Sequence, residues 1–152
     1  MSIIAAIDDF REAARRRLPR FLFDYADGGA QGEHTMRRNV ADLADIALRQ
    51  RVLQDVADID LSTQWFGERM PLPVALGPIG IGGMFRRRGE VQAARAATRH
   101  GIPFTLSTVA ICPLAELRAG APEVNLWFQL YVVRDRGFMR DLIAEARAQG
   151  AT

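Results

Sequence analysis

At 152 residues, 49% hydrophobic and 25% charged, the chain has the composition of a globular protein long enough to bury one core, which excludes a disordered tail. Its 20 basic side chains face 18 acidic ones, so the formal charge of +2 gives no excess field directed at nucleic acid. Cys112 stands alone and excludes an internal disulfide, Asp8 and Asp9 occupy the place of a secretory peptide's apolar core, and the longest uncharged run falls short of the ~20 residues of a membrane span. These features point to a cytoplasmic protein, with attachment to the cytoplasmic face of the inner membrane left open.

The first 70 residues read as a helical extension ending in a hairpin. Asp8 and Asp9 at one end and Arg15, Arg16 and Arg17 at the other complement the macrodipole of a helix over 8–18. Pro19 starts a second helix bearing Phe21, Leu22, Phe23 and Tyr25, and Asp27, Gly28 and Gly29 stop it. On amphipathicity alone Tyr25 is a core residue. A charged third helix over 33–43 leads to an extended connection over 46–61, and segments 62–66 and 70–74 flank Gly67, Glu68 and Arg69 as a small hairpin.

Residues 71–152 carry a different pattern. Val74, Ala75 and Leu76 form a short apolar run expected of a strand covered on both faces, and Gly77, Pro78, Gly80, Gly82 and Gly83 follow as a loop nearly stripped of side chains. Such a loop can bring backbone N–H and C=O groups against a flat ligand. An Ala-rich helix over 89–100 offers Val91, Ala94 and Ala97 as a small face, and Gly101 closes it. A strand over 103–106 ends at Ser107 and Thr108, and a short helix opens at Pro113 with Leu114 and Leu117 inward. The next strand, 126–132, sets Trp127, Gln129 and Tyr131 on one face and Phe128, Leu130 and Val132 on the other. Phe138, Met139, Leu142, Ile143 and Ala146 stripe a last helix, and Ala151 and Thr152 begin a fourth strand.

Strands and helices in regular alternation imply right-handed parallel crossovers, in an open sheet or as the front of a (β/α)8 barrel. Ligands in such folds sit at the carboxyl ends of strands, where this sequence places Pro78, Ile79 and Gly80, then Ser107, then Gln129 and Tyr131. A Gln on an inward face needs a partner, because an unpaired buried amide costs about 1 to 3 kcal/mol. Arg15–Arg17 and Arg86–Arg88 are basic triplets that offer a second reading, a non-catalytic binding module, although acids nearby favour solvated helix ends. His34 and His100 read as surface residues, and Cys112 has no metal-ligand spacing.

The segments Phe23–Ala30 (FDYADGGA), Arg37–Asn39 (RRN), Pro73–Gly80 (PVALGPIG), Gly101–Thr108 (GIPFTLST) and Trp127–Val132 (WFQLYV) resemble the FMN-dependent α-hydroxy acid dehydrogenases, and Arg134–Arg140 (RDRGFMR) brings the chain nearest to the bacterial quinone-linked branch that oxidises L-lactate. The resemblance runs through all 152 residues and covers the first two-fifths or so of a family member, implying the N-terminal part of a TIM barrel that continues beyond this sequence. It implies FMN as cofactor, a small 2-hydroxy acid as substrate, a quinone as electron acceptor, no nucleic acid and a homo-oligomeric full-length enzyme. On the matching positions it places the backbone of Pro78, Ile79 and Gly80 along the flavin ring and gives Ser107 and Gln129 hydrogen bonds to it. Tyr25 and Tyr131 become hydroxyl contacts to the hydroxy acid, so the resemblance overrides the core reading of Tyr25. No catalytic base and no metal ligand fall within the matching segments; the base is expected beyond Thr152. Val109 stands where the oxidase members carry Trp, which disfavours oxygen as acceptor. Mandelate dehydrogenase and the glycolate or lactate oxidases are the related alternatives.

Overall fold

The computed structural model describes residues 3–152 as two compact units, one ending at Asp58 and the other spanning Ile59–Thr152. The first holds three helices, α1 (Ile7–Arg17), α2 (Arg20–Asp27) and α3 (His34–Ala44). Asp9 begins α1 by accepting the backbone N–H groups of Ala5 and Ala6 at 2.8 and 2.9 Å, which holds its carboxyl below the usual range. Arg11 reaches from α1 to Asp27 at the end of α2, with Nη2 2.8 Å from Oδ2. Leu22 is buried in this unit, while the stretch 46–58 forms no regular element.

The second unit opens with a hairpin, β1 (Thr63–Trp65) paired antiparallel to β2 (Glu68–Met70). Its turn is Phe66–Gly67, with φ of 53° and 85°, and not the Gly67–Arg69 segment expected from sequence. Two positive φ values in a two-residue loop give the twist that matches paired strands. Phe66 tolerates that conformation while its ring stands edge-on to Trp127, 5.3 Å between centroids, and Trp65 packs on the same indole at 5.9 Å.

Beyond the hairpin come the helical turn α4 (Gly82–Phe85), α5 (Gly89–His100), β3 (Phe104–Ser107), α6 (Leu114–Gly120), β4 (Leu126–Gln129) and α7 (Arg136–Ala148). β3 and β4 are parallel, with Phe104 opposite Leu126 and Ser107 opposite Gln129. Leu76 adds a single parallel bridge on the outer side of β3, and Ala151 adds another on β4, so successive strand positions are spatial neighbours. The expected strand over 74–76 is therefore one residue of pairing. Pro71, Pro73 and Pro78 have no N–H to give a ladder, and Val74 is left half exposed. The strand expected over 126–132 stops at Gln129 because the Thr108 hydroxyl donates to the Gln129 carbonyl and accepts the Tyr131 N–H at 3.0 Å, replacing ladder bonds with side-chain ones.

The core lies between this sheet and its helices: Val91, Ala94 and Ala97 from α5, Phe104 and Leu106 from β3, Leu114 and Leu117 from α6, Leu126 from β4 and Ala146 from α7. α5 and α6 approach closely because position 120 has no side chain; a Cβ there would stand 2.5 Å from a methyl of Val91. Arg118 ties the carboxyl ends of the last two helical segments by donating to the carbonyls of Pro122, Val124, Gln149 and Gly150. α7 starts at Asp135, whose carboxylate accepts the N–H groups of Gly137 and Phe138.

Candidate functional site

The carboxyl edge of the parallel strands is formed by three adjacent segments. Leu76 donates to Pro103 and accepts from Thr105, both at 2.9 Å, which delivers the chain into the glycine loop alongside β3. Ile81 then donates to Val109 at 2.9 Å, docking the loop on the segment that follows β3. Between those two anchors the backbone N–H groups of Gly77, Ile79 and Gly80 have no hydrogen-bond partner among the described residues. A Cβ built on Gly77 would meet nothing within 4 Å. Gly77, Pro78 and Ile79 are exposed, whereas a Cβ on Gly80 would stand 3.0 Å from a methyl of Val109, so the open part of the loop is 77–79.

The far half of the loop is bare for another reason. A Cβ on Gly83 would fall 2.8 Å from the Cβ of Ile111, and one on Gly82 would fall 3.2 Å from the carboxylate of Glu90. Glu90, the second residue of α5, is 5% exposed. Its Oε1 accepts the N–H of Gly83 at 2.8 Å and that of Ile111 at 3.1 Å. Gly82 and Gly83 are thus packing residues, which leaves 77–79 as the bare and exposed part of the loop.

A cavity of about 380 Å³ opens here, walled mainly by apolar atoms and lined by Gly77, Ile79, Phe85, Glu90, Thr105 and Ser107 among others. The structure therefore brings Ile79 and Ser107 to one cavity, with Pro78 and Gly80 in the same loop. Ser107 is buried, and its Oγ accepts the Val109 N–H at 3.2 Å, leaving the hydroxyl proton to donate. Gln129 is the register partner of Ser107 on β4; its side-chain amide is half buried and has no hydrogen-bond partner among the described residues. Tyr131 follows two residues later, 46% exposed. Tyr25 belongs to α2 of the first unit and is 68% exposed.

Other titratable groups offer less. His34 and His100 are exposed, and no group of three or more metal-ligating side chains occurs among the described residues. Of the basic triplets, Arg15 pairs with Glu12 and Arg88 with Glu116. Cys112 is buried, and its thiol is pushed up to about 11 by desolvation, reinforced by the carboxylates of Glu116 and Glu90. Among the described residues no helix is long and apolar enough to cross a membrane.

Free backbone donors beside an apolar wall, a buried hydroxyl and an uncommitted amide suit a flat ring with a polar edge. Residues 14–152 match the family profile described as FMN-dependent dehydrogenase. The chain belongs to that family. Its relatives include the L-lactate dehydrogenase of Caulobacter vibrioides strain NA1000 / CB15N, 66% identical over 99% of this chain and 39% of the relative. Among solved structures, a soluble mutant of the membrane-associated (S)-mandelate dehydrogenase from Pseudomonas putida superposes with a TM-score of 0.91 at 33% identity, covering 99% of this chain and 42% of that one. A mandelate oxidase variant with a C4a-OH-FMN adduct gives 0.85 at 34% identity, over 94% and 43%. FMN is thus the cofactor of the family, and the open part of the glycine loop fits its ring. The chain spans about two-fifths of the length of these FMN-dependent dehydrogenase relatives.

Proposed function

We propose that this chain is the N-terminal, ring-binding part of an FMN-dependent L-2-hydroxy acid dehydrogenase whose substrate is L-lactate and whose electron acceptor is a quinone. The observation that carries the reading is the pair of free N–H groups at Gly77 and Ile79, in the exposed part of the loop that lines a cavity with Ser107. The 66% identity to an L-lactate dehydrogenase, against 33% to the mandelate enzyme, supports lactate over mandelate. Bound FMN supplies a two-electron acceptor for the hydride equivalent that leaves the α-carbon, yielding the 2-oxo acid.

The chain's own residues bind and orient. The backbone at Pro78, Ile79 and Gly80 presents donors and acceptors to the ring edge without side-chain bulk, and the Ser107 hydroxyl donates to a ring acceptor. The Gln129 amide offers both a donor and an acceptor, which matches a ring edge carrying both. Tyr131 holds the hydroxy acid, its phenol donating to the carboxylate or hydroxyl. The base that takes the hydroxyl proton is expected from sequence beyond Thr152, within a barrel that the order Leu76, β3, β4, Ala151 begins.

The test is kinetic, in the holoenzyme that contains this chain. kcat/KM for L-lactate is expected to exceed that for (S)-mandelate, and a soluble quinone is expected to reoxidise the enzyme faster than oxygen does. Preference for mandelate, or rapid turnover with oxygen alone, refutes the corresponding half of the reading.

A further inference from the structure

Glu90 is a buried carboxylate that the ring-binding set does not explain. An acid near the start of α5 would complement the helix dipole equally well from the surface, and burying it is unfavourable unless it is hydrogen-bonded. Its two bonds go to different segments: Gly83 in the glycine loop and Ile111 after β3. Those are the two segments that Ile81 and Val109 already join through the backbone. One oxygen atom therefore bridges the strand-end loops that hold the free donors at 77–80 and the Ser107 hydroxyl. The other oxygen, Oε2, is buried without a hydrogen-bond partner among the described residues, so the carboxylate's net role rests on that single bridging atom.

We propose that Glu90 is a positioning residue for the flavin ring, acting through the two loops it clamps. The proposal rests on the FMN reading above. Gly82 and Gly83 belong to the same device, because a side chain at either would press on the carboxylate or on Ile111. The exchange of Glu90 for Gln keeps an oxygen acceptor in the same place, whereas Asp is one methylene shorter and cannot reach both N–H groups, and Ala reaches neither.

The experiment uses the holoenzyme that contains this chain and its flavin-free form. It measures amide hydrogen exchange over 80–83 and 109–111, the FMN dissociation constant, and the visible band of bound flavin for the wild type and for E90Q, E90D and E90A. Wild type and E90Q are expected to coincide. In E90D and E90A exchange in the two loops is expected to rise, FMN to bind roughly ten- to a hundredfold more weakly, and the flavin band to shift. Should E90A fail to fold, E90D decides. A folded E90D or E90A with lowered thermal stability but unmoved FMN affinity and flavin band makes Glu90 merely structural and overturns the proposal. Unchanged exchange in the two loops overturns the clamp itself. A wild-type protein that takes up no FMN overturns the flavin reading, and with it the purpose assigned to Glu90, whatever the exchange shows.

Discussion

Tyr131 and Gln129 share a strand end but differ in what their side chains have left to give. The Tyr131 phenol is half exposed and uncommitted, so it suits a ligand that comes and goes; Tyr131→Phe is expected to lower kcat/KM for the hydroxy acid roughly ten- to a hundredfold, the worth of one hydrogen bond to a charged group, with the visible flavin content unchanged. Unaltered kinetics would remove Tyr131 from the site. Gln129 sits deeper, in register with Ser107, and Gln129→Ala is expected to release more FMN than Tyr131→Phe does, read as the flavin-to-protein absorbance ratio after dialysis. Cys112 yields a prediction of a different kind. Burial lifts its thiol from the ordinary 9.0 to about 11, so alkylation by iodoacetamide at pH 8 is expected to run far below the rate of an exposed cysteine. Because the folded-state value is the raised one, this group's stabilising contribution is whole below pH 9.0 and is lost as the pH climbs through about 11. The strand-end placement of Ser107 and Gln129 was legible in the sequence, because apolar runs alternating with helices mark where parallel strands stop. Glu90 was not: near a helix start an acid reads as a surface partner of the dipole, and its burial depends on Ile111, 21 residues away.

At the scale of elements, α5, α6 and α7 follow from apolar spacing and from punctuation at Gly101, Pro113 and Gly150, which are local properties that a sequence displays. The elements that were not legible are set by distant partners. α4 has the sequence Gly82-Gly83-Met84-Phe85, poor in helix propensity, and it takes helical form where the Glu90 carboxylate accepts the Gly83 N–H. The hairpin turn at Phe66 escaped notice because turn rules look for Gly or Asn at both central positions, whereas here the edge-on contact with Trp127 accompanies the strained residue. The end of β4 is a third case, fixed by one hydroxyl. Thr108 both donates to the Gln129 carbonyl and accepts from Tyr131, so Thr108→Val keeps the shape and removes both bonds. That variant is expected to lose about 1 to 3 kcal/mol of stability, measured as a lower urea midpoint, and to perturb Gln129 and Tyr131 together. A midpoint equal to that of the wild type would mean that the β4 terminus is held by the ladder alone.

For the second unit the decisive feature is the order of its parallel neighbours, Leu76, β3, β4 and Ala151, which advances one position per helical crossover as barrel strands do. That order was readable from the alternation of strands and helices; the meagre extent of pairing was not, since it depends on proline N–H groups and on what lies beside each edge. The outer side of the Leu76 segment carries no ladder partner among the described residues, and Val74, Ile79 and Val132 are substantially exposed around the same sheet. Unpaired strand edges flanked by apolar side chains recruit other chains. In barrels of this architecture the phosphate site is usually built by the loops after the seventh and eighth strands, whereas the residues proposed here contact only the ring end of FMN. A ring contact without its phosphate counterpart gives weak binding, and general-base catalysis, typically worth about a hundred- to ten-thousandfold, needs a base that none of the proposed contacts provides. Produced alone, the 152-residue chain is therefore expected to be colourless, to self-associate on size-exclusion chromatography, and to be silent in dye reduction with L-lactate. A yellow, monomeric preparation that reduces the dye would refute both the barrel continuation and the placement of the base beyond Thr152.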